Sequence, residues 1–187
     1  MMTPDSLYPP IRLHPHGHPA LHAICTAVPD IPSVAPVIKQ MLEVCENSKL
    51  AVGLSAPQIG IRERFFVFSA GKGTPWKVAI NPELISSSGP WEPFLEACMS
   101  LPGFQATILR QCEIHVAYHD IEGKRFEGAL TGFEARIFQH EFDHLNGVNI
   151  TDKCSKNDLR KGGNSIKAMA RLAKKIMNKE AGAVPMQ

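Results

Sequence analysis

The chain has 187 residues, a formal net charge of +2, 44% hydrophobic and 20% charged residues, which is an ordinary composition for a soluble globular protein. No run of 18 consecutive apolar residues occurs, so the sequence predicts no membrane-spanning segment. The length accommodates one domain with a sizeable core, and we expect residues 1–187 to form a single domain.

The cysteines and the N-terminal residues give information about the cellular compartment of the protein. Cysteines at positions 25, 45, 98, 112 and 154 are odd in number and irregularly spaced, which favours free thiols in a reducing compartment. The first residues have neither the basic start nor the apolar segment of a secretory signal. We therefore expect an intracellular protein, which would be cytoplasmic in a bacterium. A mitochondrial or other organellar location in a eukaryote stays open, because a presequence that has been removed would leave no trace.

The N-terminal third is predicted to contain a leader, an irregular segment and a helix. Residues 1–10 are expected to form a loose leader. His14, His16 and His18 alternate along the next segment and raise the hypothesis of a second metal site, but the intervening prolines and glycine favour an irregular segment packed on a sheet. Apolar residues at helical spacing then predict a helix from an N-cap at Ser33 to about Glu46.

Alternating or β-rich stretches predict strands in the middle of the chain. They lie at 64–69, 76–80, 106–109, 113–119 and 126–130. The dipeptide Asn81-Pro82 is expected to end the second of them.

A His-Glu-x-x-His sequence at 140–144 carries the strongest chemical signal. His140 and His144 are four positions apart, so on an α-helix both imidazoles face the same side and can bind one cation. Glu141 beside them can accept a proton from a water whose pKa the cation has lowered to about 7. The pattern is typical of a metal-dependent hydrolase.

The helix that carries these residues is predicted to be buried. Thr131 and Glu134 predict a capping box at its start, and Gly147 predicts a left-handed end. Its remaining surface is mostly apolar, which indicates burial by the rest of the chain. We therefore predict an α+β fold in which mixed or antiparallel β-sheets wrap around a central metal-binding helix, with an N-terminal and a C-terminal helix in addition.

The third metal ligand has to come from elsewhere in the chain. The position that carries the third histidine of metzincins is Ile150, which cannot bind metal, and no glutamate occurs from 145 to 179. Cys98, in a stretch predicted to be irregular, completes a Cys-His-His set with an open fourth position. Such a set suits zinc or ferrous iron.

Three motifs occur in a fixed order. They are Gly-Leu-Ser-Ala-Pro-Gln at 53–58, Glu-Ala-Cys-Met-Ser at 96–100 and Gln-His-Glu-Phe-Asp-His at 139–144. In these motifs the chain resembles the peptide deformylases over about residues 11–152. The stretches at 103–104 and 135–137 look like the organellar (type 1A) branch of that family.

The resemblance implies a hydrolase that removes the N-formyl group from the N-terminal formylmethionine of nascent polypeptides. The implied cofactor is one divalent metal ion, ferrous iron in the cell, for which zinc, nickel or cobalt can substitute. The implied metal ligands are Cys98, His140 and His144; the implied catalytic residues are the base Glu141 and the oxyanion donors Gln58 (side chain) and Met99 (backbone N–H).

The substrate-binding residues are expected around the same centre. An apolar slot for the methionine side chain is predicted from Val52, Phe133 and Ile137, although plain core positions would explain all three. Gly53 would allow the backbone to approach a ligand closely. By the resemblance, Glu96 steadies this region.

One departure from the family pattern leaves alternatives open. Ala97 stands where the second motif usually has glycine, so a positive φ or a passing substrate would make its methyl group costly. A catalytically weak, deformylase-like peptide-binding protein is one alternative, and a metalloprotease of the His-Glu-x-x-His type is the other.

The C-terminal region is strongly basic. Eight of the 20 basic residues lie in 156–179 beside two acidic residues in 156–187, so this region carries a charge of about +6. We predict a basic helix within 155–180, broken at Gly162-Gly163, followed by a disordered tail at 181–187. A solvated basic face is the simpler interpretation, and contact with the ribosome is the alternative; no sequence-specific nucleic-acid binding is expected.

Overall fold

The computed structural model describes residues 11–48, 50–71 and 73–182. Its strands are β1 (Gly53–Ser55), β2 (Phe65–Phe68), β3 (Lys77–Ala97), β4 (Gln105–His119) and β5 (Arg125–Thr131). Its α-helices are α1 (Ile31–Asn47), α2 (Gly132–Leu145), α3 (Ile150–Lys153), α4 (Lys156–Lys161) and α5 (Gly163–Gly182). Short 3-10 helices occupy Pro19–His22 and Ala56–Ile59. The predicted leader at 1–10 lies outside the described residues.

The strands form one five-stranded sheet in the order β1-β2-β3-β4-β5, and every neighbouring pair is antiparallel. Sequential antiparallel strands need only short connections, as the turn between β4 and β5 illustrates. The predicted α+β architecture around a central helix is confirmed.

Helices cover both faces of the sheet near β2. Phe65 and Val67 lie in the cluster that contains the buried residues of α1, whereas Phe66 and Phe68 belong to the cluster around α2. The ring of Phe138 on α2 lies 5.0 Å from that of Phe66 and 5.7 Å from that of Phe68, both edge to face. Because both sides of β2 are buried, all four of its residues are apolar and the strand fixes α2 against the sheet.

The strand β3 is longer than the sequence predicts. Asn81 has a φ of 51°, and its side chain exchanges two hydrogen bonds with the backbone of Val28, at 2.7 and 3.0 Å. The pairing with β4 shifts between Ile80 and Glu83 and then continues to Ala97. The predicted end at Asn81-Pro82 is therefore wrong, because the polar pair forms an irregularity inside a bent strand. The predicted break at 110–112 is also wrong, since β4 is continuous.

The helices begin and end close to the predicted residues, but the predicted capping hydrogen bonds are not formed. Asp30, not Ser33, is the N-cap of α1, and Ser33 lies in the first turn. Thr131 is the N-cap of α2 but makes no capping hydrogen bond, and Glu134 instead pairs with Lys77 on β3. Gly147 has the predicted positive φ, 73°, and a Cβ there would lie 2.7 Å from the carbonyl oxygen of His22.

The C-terminal helices pack beside the start of β4. Gly162 separates α4 from α5, as the glycine pair predicts. The helix α5 extends to Gly182, beyond the predicted start of the tail at 181, and residues 183–187 lie outside the described range. All five cysteines carry free thiols. Within the described residues, no helix combines the length and apolar composition needed to span a bilayer.

Candidate metal centre and active site

The three predicted metal ligands meet where the end of β3 approaches α2. The ligand atoms of Cys98, His140 and His144 lie within 4.8 Å of one another, and the Cys98 Sγ is 3.3 Å from the His144 Nε2. One sulfur and two imidazole nitrogens at this spacing, in a largely buried site, are the donor set of a tetrahedral divalent ion with one open position. The residues present therefore fit the metal that the sequence implies.

The electrostatics of the two histidines differ. Burial and the neighbouring His140 lower the pKa of His144 well below its usual value, so its ring is in the neutral form that binds metal. Burial also disfavours charge on His140, but hydrogen bonds to Cys98 and Glu96 raise its pKa to about 10. A cation has to displace that proton, so metal binding at this site releases protons.

Glu96 orients His140. Its Oε2 lies 3.0 Å from the His140 Nδ1, which leaves Nε2 as the ring nitrogen available to a cation. Burial opposes the charge of Glu96, yet the hydrogen bonds from His140 and Arg110 and the charge of Arg110 lower the pKa of this carboxyl well below its usual range. The residue is therefore an anion that holds the imidazole in one orientation.

Two buried arginines balance this anion. Arg110 on β4 donates to both oxygens of Glu96, from Nε at 2.7 Å and Nη2 at 2.9 Å, and to Asp143 at 2.7 Å. Arg136 on α2 donates from Nη1 to Glu96 at 2.8 Å. Lys153 completes the network with a 2.8 Å contact to Asp143. The network connects β3, β4, α2 and α3 next to the candidate metal ligands.

Glu141 lies beside the three donors and is 3% exposed. Burial raises the pKa of its carboxyl to about 7, despite opposing effects of the His140 charge and the Ser55 hydroxyl. Its Oε2 has no hydrogen-bond partner among the described residues. The carboxylate packs against Gly53, where a Cβ would lie 2.8 Å from its Cδ atom, so the absence of a side chain at 53 makes room for the group.

The side chain of Gln58 is fixed in one orientation. Its Oε1 accepts hydrogen bonds from the backbone N–H of Ser55 at 2.8 Å and from the Ser55 hydroxyl at 2.9 Å. Its Nε2 therefore points the other way, 3.5 Å from the Cys98 sulfur and 3.3 Å from the Ser100 hydroxyl. A neutral donor is thus held next to the candidate metal position.

A cavity of about 630 Å³ opens in front of this centre. It is lined by all the predicted site residues except His144, which lies behind them: Val52, Gly53, Gln58, Glu96, Cys98, Met99, Phe133, Ile137, His140 and Glu141. Phe94 and Leu101, which were not predicted from the sequence, contribute further apolar surface. The cavity is large enough for a side chain and a short stretch of peptide.

Ala97 has an ordinary backbone. It pairs with Gln105 at the end of β3, and Asn81 is the one non-glycine residue with a positive φ among residues 11–48, 50–71 and 73–182. The strain expected of an alanine at positive φ therefore does not arise. Ala97 is one of the residues that line the cavity.

No role was predicted from the sequence for Arg110, Arg136, Asp143 or Ser55. The alternation on β4 offered one signal, because Arg110 falls among the inward-facing positions Ala106 and Ile108. A charged residue at such a position requires a buried partner, which is Glu96. The orienting role of Ser55 also had a signal in the sequence, because Ser55 and Gln58 have the Ser-x-x-Gln spacing of a capping box, which forms at the start of the 3-10 turn at Ala56–Ile59.

Comparisons with known proteins agree with this site. The family model of polypeptide deformylase matches residues 11–160. A peptide deformylase of Thermotoga petrophila is 39% identical over 145 residues, covering 77% of this chain and 87% of the relative. One of Picosynechococcus is 32% identical over 174 residues, covering 88% of this chain and 92% of the relative.

Solved structures show the same likeness. The crystal structure of the peptide deformylase from Thermotoga maritima matches with a TM-score of 0.74 and 38% identity, covering 79% of this chain and 99% of that one. That of the Synechococcus elongatus enzyme in complex with actinonin matches with a TM-score of 0.79 and 31% identity, covering 89% and 91%. Assignment to the type 1A branch stays a prediction. The chain therefore belongs to the polypeptide deformylase family and is a metal-dependent hydrolase that removes the N-formyl group from nascent peptides.

Proposed function

We propose that Cys98, His140 and His144 hold the catalytic divalent ion and that Glu141 transfers the protons of the reaction. The observation that carries this proposal is the position of Glu141. Its carboxylate is buried, borders the cavity beside the three donors, and has an oxygen without a partner among the described residues.

The reaction consumes one water and releases formate and a free amine. A divalent ion bound here supplies Lewis acidity and lowers the pKa of water to about 7. Glu141 accepts a proton from the attacking water and returns it to the leaving amine. Burial raises the pKa of this carboxyl above its usual value, which suits a group that first accepts a proton and then returns it.

The oxyanion that develops on the formyl oxygen needs donors that are already in place. The Gln58 amide meets this requirement because Ser55 holds its Oε1 and directs its Nε2 toward Cys98. The backbone N–H of Met99, the residue after the thiolate ligand, is the second proposed donor. Both residues line the cavity.

Selection of methionine is assigned to the apolar part of the cavity. Val52, Phe133 and Ile137 line it, and the Phe133 ring lies 5.7 Å from that of Phe94. An unbranched thioether side chain fits such an apolar, partly aromatic wall. We propose that Gly53 brings the backbone close to the substrate and that Glu96 acts indirectly by orienting His140.

The proposed metal in the cell is ferrous iron, with zinc, nickel or cobalt as substitutes. A thiolate and two imidazoles accept all of these ions. The endopeptidase alternative is not favoured, because the family and the relatives are deformylases. A catalytically silent relative is disfavoured by the presence of Glu141 at the cavity and by the unstrained backbone of Ala97.

The basic surface of α5 is the proposed site of ribosome contact. Lys167, Arg171, Lys174 and Lys175 are exposed on one side of the helix, opposite the buried Ala173. A positive stripe of this kind attracts RNA phosphates. An intracellular location, cytoplasmic or organellar, is part of the same proposal because formylated nascent chains are made there.

The test is a comparison of Glu141→Gln with wild-type protein. Under anaerobic conditions and with Fe(II) loaded, we expect kcat/KM for formyl-Met-Ala-Ser to fall about 10²-fold to 10⁴-fold. Metal content measured by mass spectrometry should stay at one equivalent, because the ligands are unchanged. Glu134→Gln, on the same helix but paired with Lys77, is the matched control and should retain activity. Turnover unaffected by Glu141→Gln would refute the assigned base.

A further inference from the structure

The two ends of the described chain bring a second set of metal-binding side chains together. Ligand atoms of His14, His18 and Glu180 lie within 4.8 Å of one another, and the Nε2 of His18 is 3.7 Å from the Glu180 carboxylate. The two imidazole rings stack with their centroids 3.8 Å apart, so one ring has to rotate before both rings can direct a nitrogen at the same ion. Two of the alternating histidines of the N-terminal segment thus lie near an acid from the other end of the described chain.

The placement of Glu180 on α5 is unusual. Ala173 is 1% exposed and faces the N-terminal segment, and Glu180 lies two turns later on the same side of the helix. The cationic stripe of α5 lies on the other side. The Glu180 carboxylate therefore lies next to the histidine pair and not among the cationic side chains of the helix.

The backbone holds the two elements together at this point. Gly17 has a φ of 94°, and a Cβ there would lie 3.2 Å from the Cα of Ala170 on α5. The segment can therefore approach the helix closely only because residue 17 is glycine. His14 also has a buried Nδ1 without a hydrogen-bond partner in the described part of the chain.

We propose that His14, His18 and Glu180 form a second binding site for a divalent transition metal such as Zn²⁺, separate from the Cys98 centre. Two imidazoles and one carboxylate are a common zinc ligand set. The Nδ1 of His18 accepts a 3.3 Å hydrogen bond from the backbone N–H of Ala20. Binding through Nε2 therefore requires the ring proton to move to Nδ1 and this long hydrogen bond to be lost, so the site is weaker than the thiolate site.

An ion at this site would also reduce the mobility of the active site, because the N-terminal segment is hydrogen-bonded to active-site residues. The backbone N–H of His14 donates to the carbonyl of Gln58, and that of His16 donates to the carbonyl of Ser100, both at 2.7 Å. An ion that fixes the N-terminal segment to α5 would therefore also restrain two parts of the active site. One is the turn that carries Gln58, the proposed oxyanion donor, and the other is the loop at Ser100, two residues after Cys98. The role of such an ion is structural, not catalytic.

The test is titration of Zn²⁺ into protein that already carries one equivalent of metal. We expect calorimetry and mass spectrometry to show one further equivalent per chain and a rise in Tm. His18→Gln and Glu180→Gln should each abolish the second equivalent, while the first equivalent and hydrolysis of formyl peptide remain. Glu180 is exposed, so its substitution tests the site even if His18→Gln folds poorly.

The matched controls are His115→Gln and Glu122→Gln, which remove a histidine and a glutamate far from the proposed site. Both should retain the second equivalent. Hydrogen exchange should show slower exchange of the amides of His14 and His16 when the second equivalent is bound. Absence of a second equivalent in wild-type protein, or its persistence in Glu180→Gln, would overturn the three-ligand site.

Discussion

The orientation of a single side-chain amide decides whether Gln58 can act on the substrate. Two hydrogen bonds from Ser55 hold its oxygen, so the Nε2 has one direction in which to donate, toward the Cys98 centre. A donor fixed in advance stabilises a developing charge without reorganisation. At this scale the resemblance predicted a role for Gln58, and the Ser-x-x-Gln spacing of Ser55 and Gln58 was the sequence signal for the hydrogen bonds that orient its side chain.

Gln58→Leu should therefore impair the chemical step. We expect kcat/KM to fall about 10²-fold to 10³-fold, equivalent to about 2.7–4 kcal/mol of barrier, since one oxyanion donor is lost. The loss should appear in kcat, measured as formate release at saturating formyl peptide, with metal content unchanged. Gln111→Leu, a half-exposed glutamine on β4, serves as the control. If the two variants behave alike, Gln58 is a packing residue.

At the scale of elements, the buried network of Glu96, Arg110 and Arg136 connects β3, β4 and α2. Its members could not be paired from the sequence, because the register of β3 against β4 depends on three irregularities, the first at Asn81 and Pro82. Local patterns predicted the helix of the metal ligands well because its histidines, cap position and terminal glycine are close in sequence. The alternation on β4 indicated that Arg110 is buried, but the contacts across the bent hairpin are long-range and no local pattern identified its partner.

This network should also control stability toward acid. The native pKa of Glu96 lies below its unfolded value of about 4.3, so its stabilisation is present above that value and is lost as the pH falls through the native pKa. Glu96→Gln should lower the free energy of unfolding by about 3–5 kcal/mol at pH 7, because two buried arginines lose their counter-charge. The difference from wild type should shrink below about pH 4.

Urea unfolding of metal-stripped protein at pH 7, 5, 4 and 3 measures this difference. Glu92→Gln, an exposed glutamate on the same strand, should change the free energy of unfolding by less than about 0.5 kcal/mol at every pH. If the difference in the free energy of unfolding between Glu96→Gln and wild type is the same from pH 7 to pH 3, the charge of Glu96 does not contribute to stability.

For the whole molecule, the chain divides into a catalytic body and a basic C-terminal helix that packs against the N-terminal segment. The sequence predicted the body from its motifs and α5 from its amphipathic spacing. It did not predict that α5 lies on the segment at His14 to His18, because that contact joins the two ends of the chain. The uncovered side of α5 carries the positive charge.

Ribosome contact through that side gives a prediction for the whole molecule. Replacing Lys167, Arg171 and Lys174 with glutamine should weaken co-sedimentation with ribosomes. A plot of log K for binding against log salt concentration should become less steep, by about 0.7–0.9 in slope for each phosphate contact that is lost. Hydrolysis of free formyl-Met-Ala-Ser should be unchanged, because these side chains are exposed and lie outside the cavity. Neutralising Arg12, Lys39 and Lys124, which are exposed elsewhere, removes the same charge and serves as the control. An equal loss of ribosome binding in both triple variants would mean that net charge, and not α5, accounts for the contact.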